Sequence, residues 1–456
     1  MEGAIIRMEC LYSNEAGVSN TMTFSLYNIA LFIAACLAVP YYVLKMALTG
    51  KYRRSLGAKF GIMGEDIFSA MQGAPRIWIH AVSVGEVTAA APIIAALRAE
   101  LPAACIVLST STETGQDMAG SLATEATAII YYPLDIPFIV RKVIKRVNPD
   151  VFVMTETELW PNFLHACKER NIKVVMVNGR ISPRSFRRYR LSRFFWKRVL
   201  AFVDRVGVIS DVDGERILSL GLSPQRMEIM GNAKYDGLAA KVSPVLQEEI
   251  ARRLNIAPEE PVFVAGSTHE GEESVVLDVY RRLLPDYLAM KLILIPRHVE
   301  RGAAVREIVA RSGFADIITL SAINGGQGRA GERVIVVDVI GELFKIYSLA
   351  TVVFCGGSLV PRGGQNILEP AAWGKVVFHG PSMEDFLDEN NILSGIGAGI
   401  TVTSGEELLA GVRKMLSQPA LLKAKGEAAR EAIIANRGAA KRYARLIMES
   451  LRNQRG

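Results

Sequence analysis

Beyond Lys59 the apolar residues fall in short runs, many of them β-branched, and each run closes on small or polar residues. In the first half these are residues 76–83 (RIWIHAVS), 105–111 (CIVLSTS), 128–132, 150–156 (DVFVMTE), 173–178 (KVVMVN) and 205–210 (RVGVIS). In the second half they are 261–267 (PVFVAGS), 291–298 (KLILIPRH), 333–339 (RVIVVDV), 351–357 (TVVFCGG) and 375–380 (KVVFHG). Helix-period segments such as 87–100 and 272–284 separate them. Strand alternating with helix predicts an α/β chain with parallel sheets covered on both faces. Polar and glycine residues recur at the carboxyl ends of the strands, the edge where open α/β sheets bind ligands. Two such sheets in tandem would face each other across a cleft.

The first 60 residues follow another pattern. No side chain is charged from Ala16 to Leu44, and residues 22–44 are long enough to cross a hydrocarbon layer as a helix. Lys45, Lys51, Arg53, Arg54 and Lys59 follow directly, against Glu2, Glu9, Glu15 and Arg7 before it. That asymmetry places the large C-terminal portion in the cytoplasm. The expectation is a single-pass anchor in the cell inner membrane; Pro40 and Asn28 leave open a helix lying partly in the interface. The expected division is a leader at 1–21, the anchor at 22–48 and a first Rossmann-like domain at 49–236. A hinge at 237–258, a second Rossmann-like domain at 259–425 and a C-terminal helix at 426–456 follow. The last helical stretch, from about Glu406, is expected to pack back across the first domain.

Half the residues are hydrophobic and 22% are charged, so the bulk is globular. Cys10, Cys36, Cys105, Cys167 and Cys355 are scattered, which suits a reducing compartment and gives no metal-type spacing. The net charge of +7 matters mainly through its distribution. From Lys173 to Val203 there is no acidic residue. Arg180, Arg184, Arg187, Arg188 and Arg190 instead share the stretch with Tyr189, Phe194, Phe195 and Trp196. Nucleic acid, an anionic membrane surface or a phosphorylated lipid would suit this patch, and so would a solvated helix face.

Candidate chemistry sits at the strand ends. In His80-Ala81-Val82-Ser83-Val84-Gly85-Glu86 a strand turns through glycine into a helix, and Glu86 either abstracts a proton or complements the helix dipole. In Thr155-Glu156-Thr157-Glu158-Leu159-Trp160-Pro161-Asn162 the carboxylates support a sugar or cap a helix. Lys234, in GNAKYD, offers a cation. In the second half, Pro296-Arg297-His298 ends a strand with a guanidinium suited to phosphate. Ile340-Gly341-Glu342 offers backbone groups to a base edge. The stretch 355–366 reads as a glycine-rich loop with free N–H groups, leading into Asn366-Ile367-Leu368-Glu369. There, Glu369 either accepts from ribose hydroxyls or caps the helix. Asp211-Val212-Asp213 has the form of a metal–nucleotide motif, but it follows Ser210 at a strand end and reads as a cap. No G-x-G-x-x-G follows a strand and no G-x-x-x-x-G-K-[ST] occurs, which disfavours a dehydrogenase and excludes a P-loop ATPase.

Taken in order, SLYN, YRRSLGAKFG, WIHAVSVGE, STSTETG, YYPLD, TETELWPN, NGRIS, GNAKYD, AGSTHEGEE, IPRH, GELFKIYS and GGSLVPRGGQNILEPAAWG resemble the Kdo (3-deoxy-D-manno-octulosonic acid) transferase family of lipopolysaccharide assembly. The resemblance runs from about Met22 to the C-terminus. Residues 1–21 match nothing in it, and Met22 reads as an alternative start. It implies a GT-B glycosyltransferase that moves Kdo from CMP-Kdo to a lipid A precursor with inversion. No metal or other cofactor and no nucleic acid is then needed. By resemblance Glu86 is the general base, and Glu156 and Lys234 stabilise the transition state. CMP contacts fall on Pro296, Arg297, Ile340, Gly341, Glu342, Asn366, Ile367, Leu368 and Glu369. The Arg180–Arg190 patch would then meet acceptor phosphates or the leaflet. The rival within the fold is a transferase using another sugar nucleotide on a lipid acceptor. The rival from another class is a catalytically silent, membrane-tethered nucleotide-binding protein, whose cellular function would survive Glu86→Ala.

Overall fold

A computed structural model describes residues 24–37, 39 and 53–452. The chain forms two compact units: one runs to Gly237 and resumes at Gly438, and the other spans Leu238–Arg437.

The first unit holds seven parallel strands: β1 (Arg76–His80), β2 (Cys105–Thr110), β3 (Ala128–Tyr131), β4 (Val151–Thr155), β5 (Lys173–Gly179), β6 (Arg205–Val208) and β7 (Met227–Ile229). They are ordered β3-β2-β1-β4-β5-β6-β7. The winding reverses between β1 and β4, whose register pairs His80 with Met154. Alternate side chains of β1 feed opposite faces, as a strand's two-residue period requires. Ile77 and Ile79 are buried beneath the helix Val84–Glu100. Trp78 points the other way, edge-on to Phe163 at 5.0 Å and Phe152 at 5.9 Å. Both faces are therefore core, which explains the nearly continuous apolar runs.

The second unit has β8 (Val262–Thr268), β9 (Lys291–Pro296), β10 (Ile317–Thr319), β11 (Val334–Val336), β12 (Val352–Cys355), β13 (Val377–His379) and β14 (Gly399–Thr401). These too are all parallel, ordered β10-β11-β9-β8-β12-β13-β14, with the reversal between β8 and β12. The strands absent from the sequence reading are β7, β10 and β14. Each has three residues and lies at a sheet edge, where one flank needs no apolar partner.

After the helix Pro419–Ala435 in the second unit, the chain returns to the first as the helix Ala439–Arg452. Asp236 fastens this return, accepting from the N–H of Gly438 at 2.6 Å and of Ala440 at 3.1 Å. Tyr443, fully buried, donates its hydroxyl to the carbonyl of Gly231 at 2.7 Å.

The expected single-pass anchor is not seen: among the described residues no helix is long and apolar enough to cross a membrane. Residues 24–37 are helical, a length of about 21 Å at 1.5 Å per residue, short of a hydrocarbon layer of about 30 Å. The rest of the 22–48 span, and the leader at 1–21, lie outside the described residues. The start of this helix is pinned to the first unit. Phe24 is buried against His165 and Phe202, with ring centroids at 4.9 and 5.7 Å. Tyr27 donates to Asp135 at 2.9 Å, and Asn28 accepts from the side-chain amide of Asn162 at 2.7 Å. Leu26, Ile29, Phe32, Ile33 and Leu37 of the same helix stay exposed.

Candidate active site

In the first unit the carboxyl ends of β1 and β4 lie side by side at the winding reversal, and each leads into a candidate carboxylate. Ser83 opens the helix Val84–Glu100 in extended conformation but makes no side-chain cap. Glu86 reaches back instead. Its carboxyl accepts from the N–H of Val82 at 2.8 Å and from the hydroxyl of Ser83 at 3.1 Å. The group is 7% exposed. Burial first, then the negative charges of Glu156 and Glu158, push its pKa up to about 8. The capping and base readings therefore meet in one side chain, held in place by two donors and poised near the working pH of a general base.

Glu156 follows β4 with φ at +60°, a left-handed backbone that an L-residue adopts only with strain. It accepts from the Lys234 ammonium at 3.0 Å. That ammonium also lies 4.0 Å from where a Cβ on Gly85 would stand, so Glu86, Glu156 and Lys234 come together around Gly85. Two asparagines set the backbone of GNAKYD: Asn178, in β5, accepts from the N–H of Ala233 at 2.9 Å, and Asn232 from that of Lys234 at 3.0 Å. Glu158, the second carboxylate of the same motif, joins them; burial and then Glu156 raise its pKa to about 7. His80, fully buried and stacked on Tyr132 at 3.7 Å, is held neutral by burial, its pKa lowered to about 3.

The basic stretch forms the helices Pro183–Leu191 and Arg193–Leu200. Tyr189 and Trp196 meet edge-on at 4.7 Å, while Arg184, Arg187, Arg188 and Arg190 are exposed and Arg180 is half-buried. Asp213 is spent on structure: it accepts from the N–H of Ile181 at 2.8 Å and from the Ser210 hydroxyl at 2.7 Å.

The second unit corrects the glycine-rich loop. Its N–H groups are not free. The buried carboxylate of Glu272, 1% exposed, accepts from the N–H of Gly357 at 2.7 Å and from those of Ser358 and Leu359 at 3.0 Å each. It also takes the N–H of His269 at 2.9 Å. The loop is a nest, but the protein's own anion fills it. The two glutamates after Gly271 were the signal for this, and as sequence they read only as helix-start charges.

The other nucleotide candidates stand at the carboxyl edge of the second sheet. Arg297 follows β9, its N–H bound to the Thr268 carbonyl at 2.9 Å and its side chain exposed. Gly341 has φ at +92°, and Ile340 is 81% exposed. The Glu342 carboxylate is taken by Arg253 and, at 3.5 Å, by Lys345, which leaves the backbone of 340–342 for any ligand. Ile367 and Leu368 are buried and also have only backbone to offer. Asn366 donates to Glu369 at 3.2 Å and accepts from the N–H of Leu368 at 3.1 Å. Burial raises the Glu369 pKa, against the lowering effects of Lys241, Asn366 and Arg297.

The chain has relatives among known proteins. The family model for 3-deoxy-D-manno-octulosonic-acid transferase (kdotransferase) matches residues 54–237. The 3-deoxy-D-manno-octulosonic acid transferase of Haemophilus influenzae is 31% identical over 92% of this chain and 97% of its own length. That of Chlamydia pneumoniae is 29% identical over 81% of this chain and 84% of its own. Among solved structures, a glycosyltransferase from Rickettsia africae shares the fold with a TM-score of 0.55 at 18% identity, covering 83% of this chain and 99% of that one.

Proposed function

This chain belongs to the Kdo transferase family and is a glycosyltransferase, and from that premise we propose that it moves Kdo from CMP-Kdo to a lipid A precursor. The observation that carries the reaction is Glu86, a buried carboxyl of raised pKa held by two donors beside a Glu156–Lys234 pair. Glu86 takes the proton of an acceptor hydroxyl as that oxygen bonds to the anomeric carbon of Kdo. The bond from that carbon to the phosphate oxygen breaks, and CMP leaves with the electron pair. Attack opposite the leaving group inverts the centre, and no metal takes part. Lys234 offsets negative charge near the reacting atoms, with Glu156 fixing its position. Arg297 binds the phosphate, the backbone of 340–342 meets the base, and Asn366 and Glu369 meet the ribose.

The membrane reading rests on the helix at 24–37. Its Phe24, Tyr27 and Asn28 grip the first unit while Leu26, Phe32 and Leu37 stay 61%, 70% and 76% exposed. Nearby apolar side chains, Leu191 at 89% and Phe194 at 69%, sit among the patch arginines. Exposed apolar side chains together with exposed cations suit the cytoplasmic surface of the inner membrane, where a lipid acceptor would reside.

The test is incubation of the full chain with CMP-Kdo and a lipid A precursor, followed by mass spectrometry. The expected result is product from the wild type and a loss of at least 10²-fold for Glu86→Ala, the scale of general-base catalysis. Wild-type turnover of a UDP-sugar but not of CMP-Kdo would overturn the donor assignment.

A further inference from the structure

The donor just proposed is a sugar acid, so two anions must be met: one phosphodiester and one carboxylate. Arg297 answers the first. The second unit carries further groups at the winding reversal, where β8 and β12 part and an open sheet leaves a crevice beyond its strand ends.

His269 is the first residue after β8, and its Nε2 is buried with no hydrogen-bond partner in the protein. An orphaned buried ring nitrogen costs free energy unless a ligand meets it. The His298 ring stands edge-on to it at 6.0 Å. Across from it is Gly357, just past β12, with φ at +66°. A Cβ there would stand 3.2 Å from Cδ2 of His269 and 3.3 Å from the Gln365 side chain, so the glycine keeps this space open. Arg362 lies on the same loop with an exposed side chain, and no carboxylate pairs with it among the described residues. The carboxylate of Glu272, on this edge, is committed to four backbone N–H groups. Burial first, and then the charges of Arg362 and Arg297, lower the His269 pKa against the raising effect of Glu272, so the positive charge here belongs to the guanidinium groups.

We propose that His269, Arg362 and Gln365 form the subsite for the carboxylate of the donor sugar, separate from the nucleotide contacts. Arg362 supplies the charge, His269 donates through Nε2, and Gly357 leaves the carboxylate room to approach. The assignment rests on the CMP-Kdo reading and adds the feature by which this donor differs from a neutral sugar nucleotide.

The test compares the full chain with Arg362→Ala and His269→Ala, reading the KM for CMP-Kdo and the inhibition constant of CMP side by side. The expected result is a KM at least tenfold higher in each variant while inhibition by CMP stays within twofold. Retained CMP inhibition also shows that the variants are folded. Arg362→Lys, which keeps the charge, should recover part of the loss. An unchanged KM, or a CMP inhibition constant that rises in step with it, would overturn the subsite. A wild type that makes no product from CMP-Kdo is a distinct result and refutes the donor reading beneath it.

Discussion

Glu86 is asked to be a structural brace and a proton acceptor at once, and the two demands set its pH behaviour. Its folded pKa of about 8 lies above its ordinary 4.5. Below pH 4.5 the group is protonated in both folded and unfolded chains and costs nothing. As pH rises from there to about 8, the unfolded chain ionises while the folded one resists. This residue's contribution to stability therefore declines, by at most about 1.4 kcal/mol for each pH interval of one that is crossed. Glu86→Gln removes that pH-dependent loss. Thermal denaturation should show the variant gaining on the wild type at pH 8.5 relative to pH 5, and a pH-independent difference would refute the assignment. The same reasoning fixes the rate profile. As a base Glu86 must be ionised, so kcat/KM rises with pH through about 8. Glu156→Gln deletes a negative neighbour and leaves the Lys234 ammonium unpaired, and both effects favour the Glu86 carboxylate. The limb of the profile should move to lower pH in that variant; a limb that stays put or moves up would remove Glu156 from this electrostatic group.

At the scale of elements, the first turn of the loop after β12 is gathered around one carboxylate, that of Glu272. With Glu272 absent, four backbone N–H groups lose their acceptor, each worth about 1–3 kcal/mol when buried and unsatisfied. Glu272→Ala should therefore lower the melting temperature of the second unit and abolish CMP binding by titration calorimetry, with Glu272→Gln intermediate. A variant that melts and binds as the wild type does would show the loop to be held otherwise. This contact also marks the limit of what the chain's pattern reveals. Long central strands such as β1, β4 and β9 are legible because both faces are buried and their apolar runs are unbroken. The edge strands β7, β10 and β14 are not, since three residues with one free flank carry no pattern. Glu86, Glu156 and Lys234 are legible as ordered motifs. That their side chains converge on Gly85 is a product of the winding order, which brings β1 beside β4 across some 70 residues of chain. Glycine density in the loop signalled an anion nest correctly, but a carboxylate from another element occupies it, and no local pattern carries that long-range contact.

For the whole molecule, the helix at 24–37 and the arginine patch belong to one question, because Phe24 and Tyr27 pack on Phe195 of the basic helix pair. The apolar side chains Leu26, Phe32, Leu191 and Phe194 would bury in an interface, while the cations of the basic helix pair met anionic headgroups. Each such cation contributes about 1 kcal/mol near an anionic surface. Replacing Arg187, Arg188 and Arg190 by Gln should thus weaken sedimentation with anionic-lipid vesicles by about two orders of magnitude at low salt. Raising the salt should erase most of the difference between the two proteins, since screening removes what the substitutions remove. The apolar term should persist in both, so residual binding at high salt should be equal. Tyr27→Ala works on the other half: it releases the hydroxyl from Asp135 and loosens the helix from its seat, leaving the charge term intact. Binding by that variant should lose its high-salt residue while keeping its salt dependence. If the arginine variant binds anionic vesicles as the wild type does and also keeps its affinity for the lipid acceptor, the patch is a solvated helix face and the apolar helix holds the enzyme at the membrane alone.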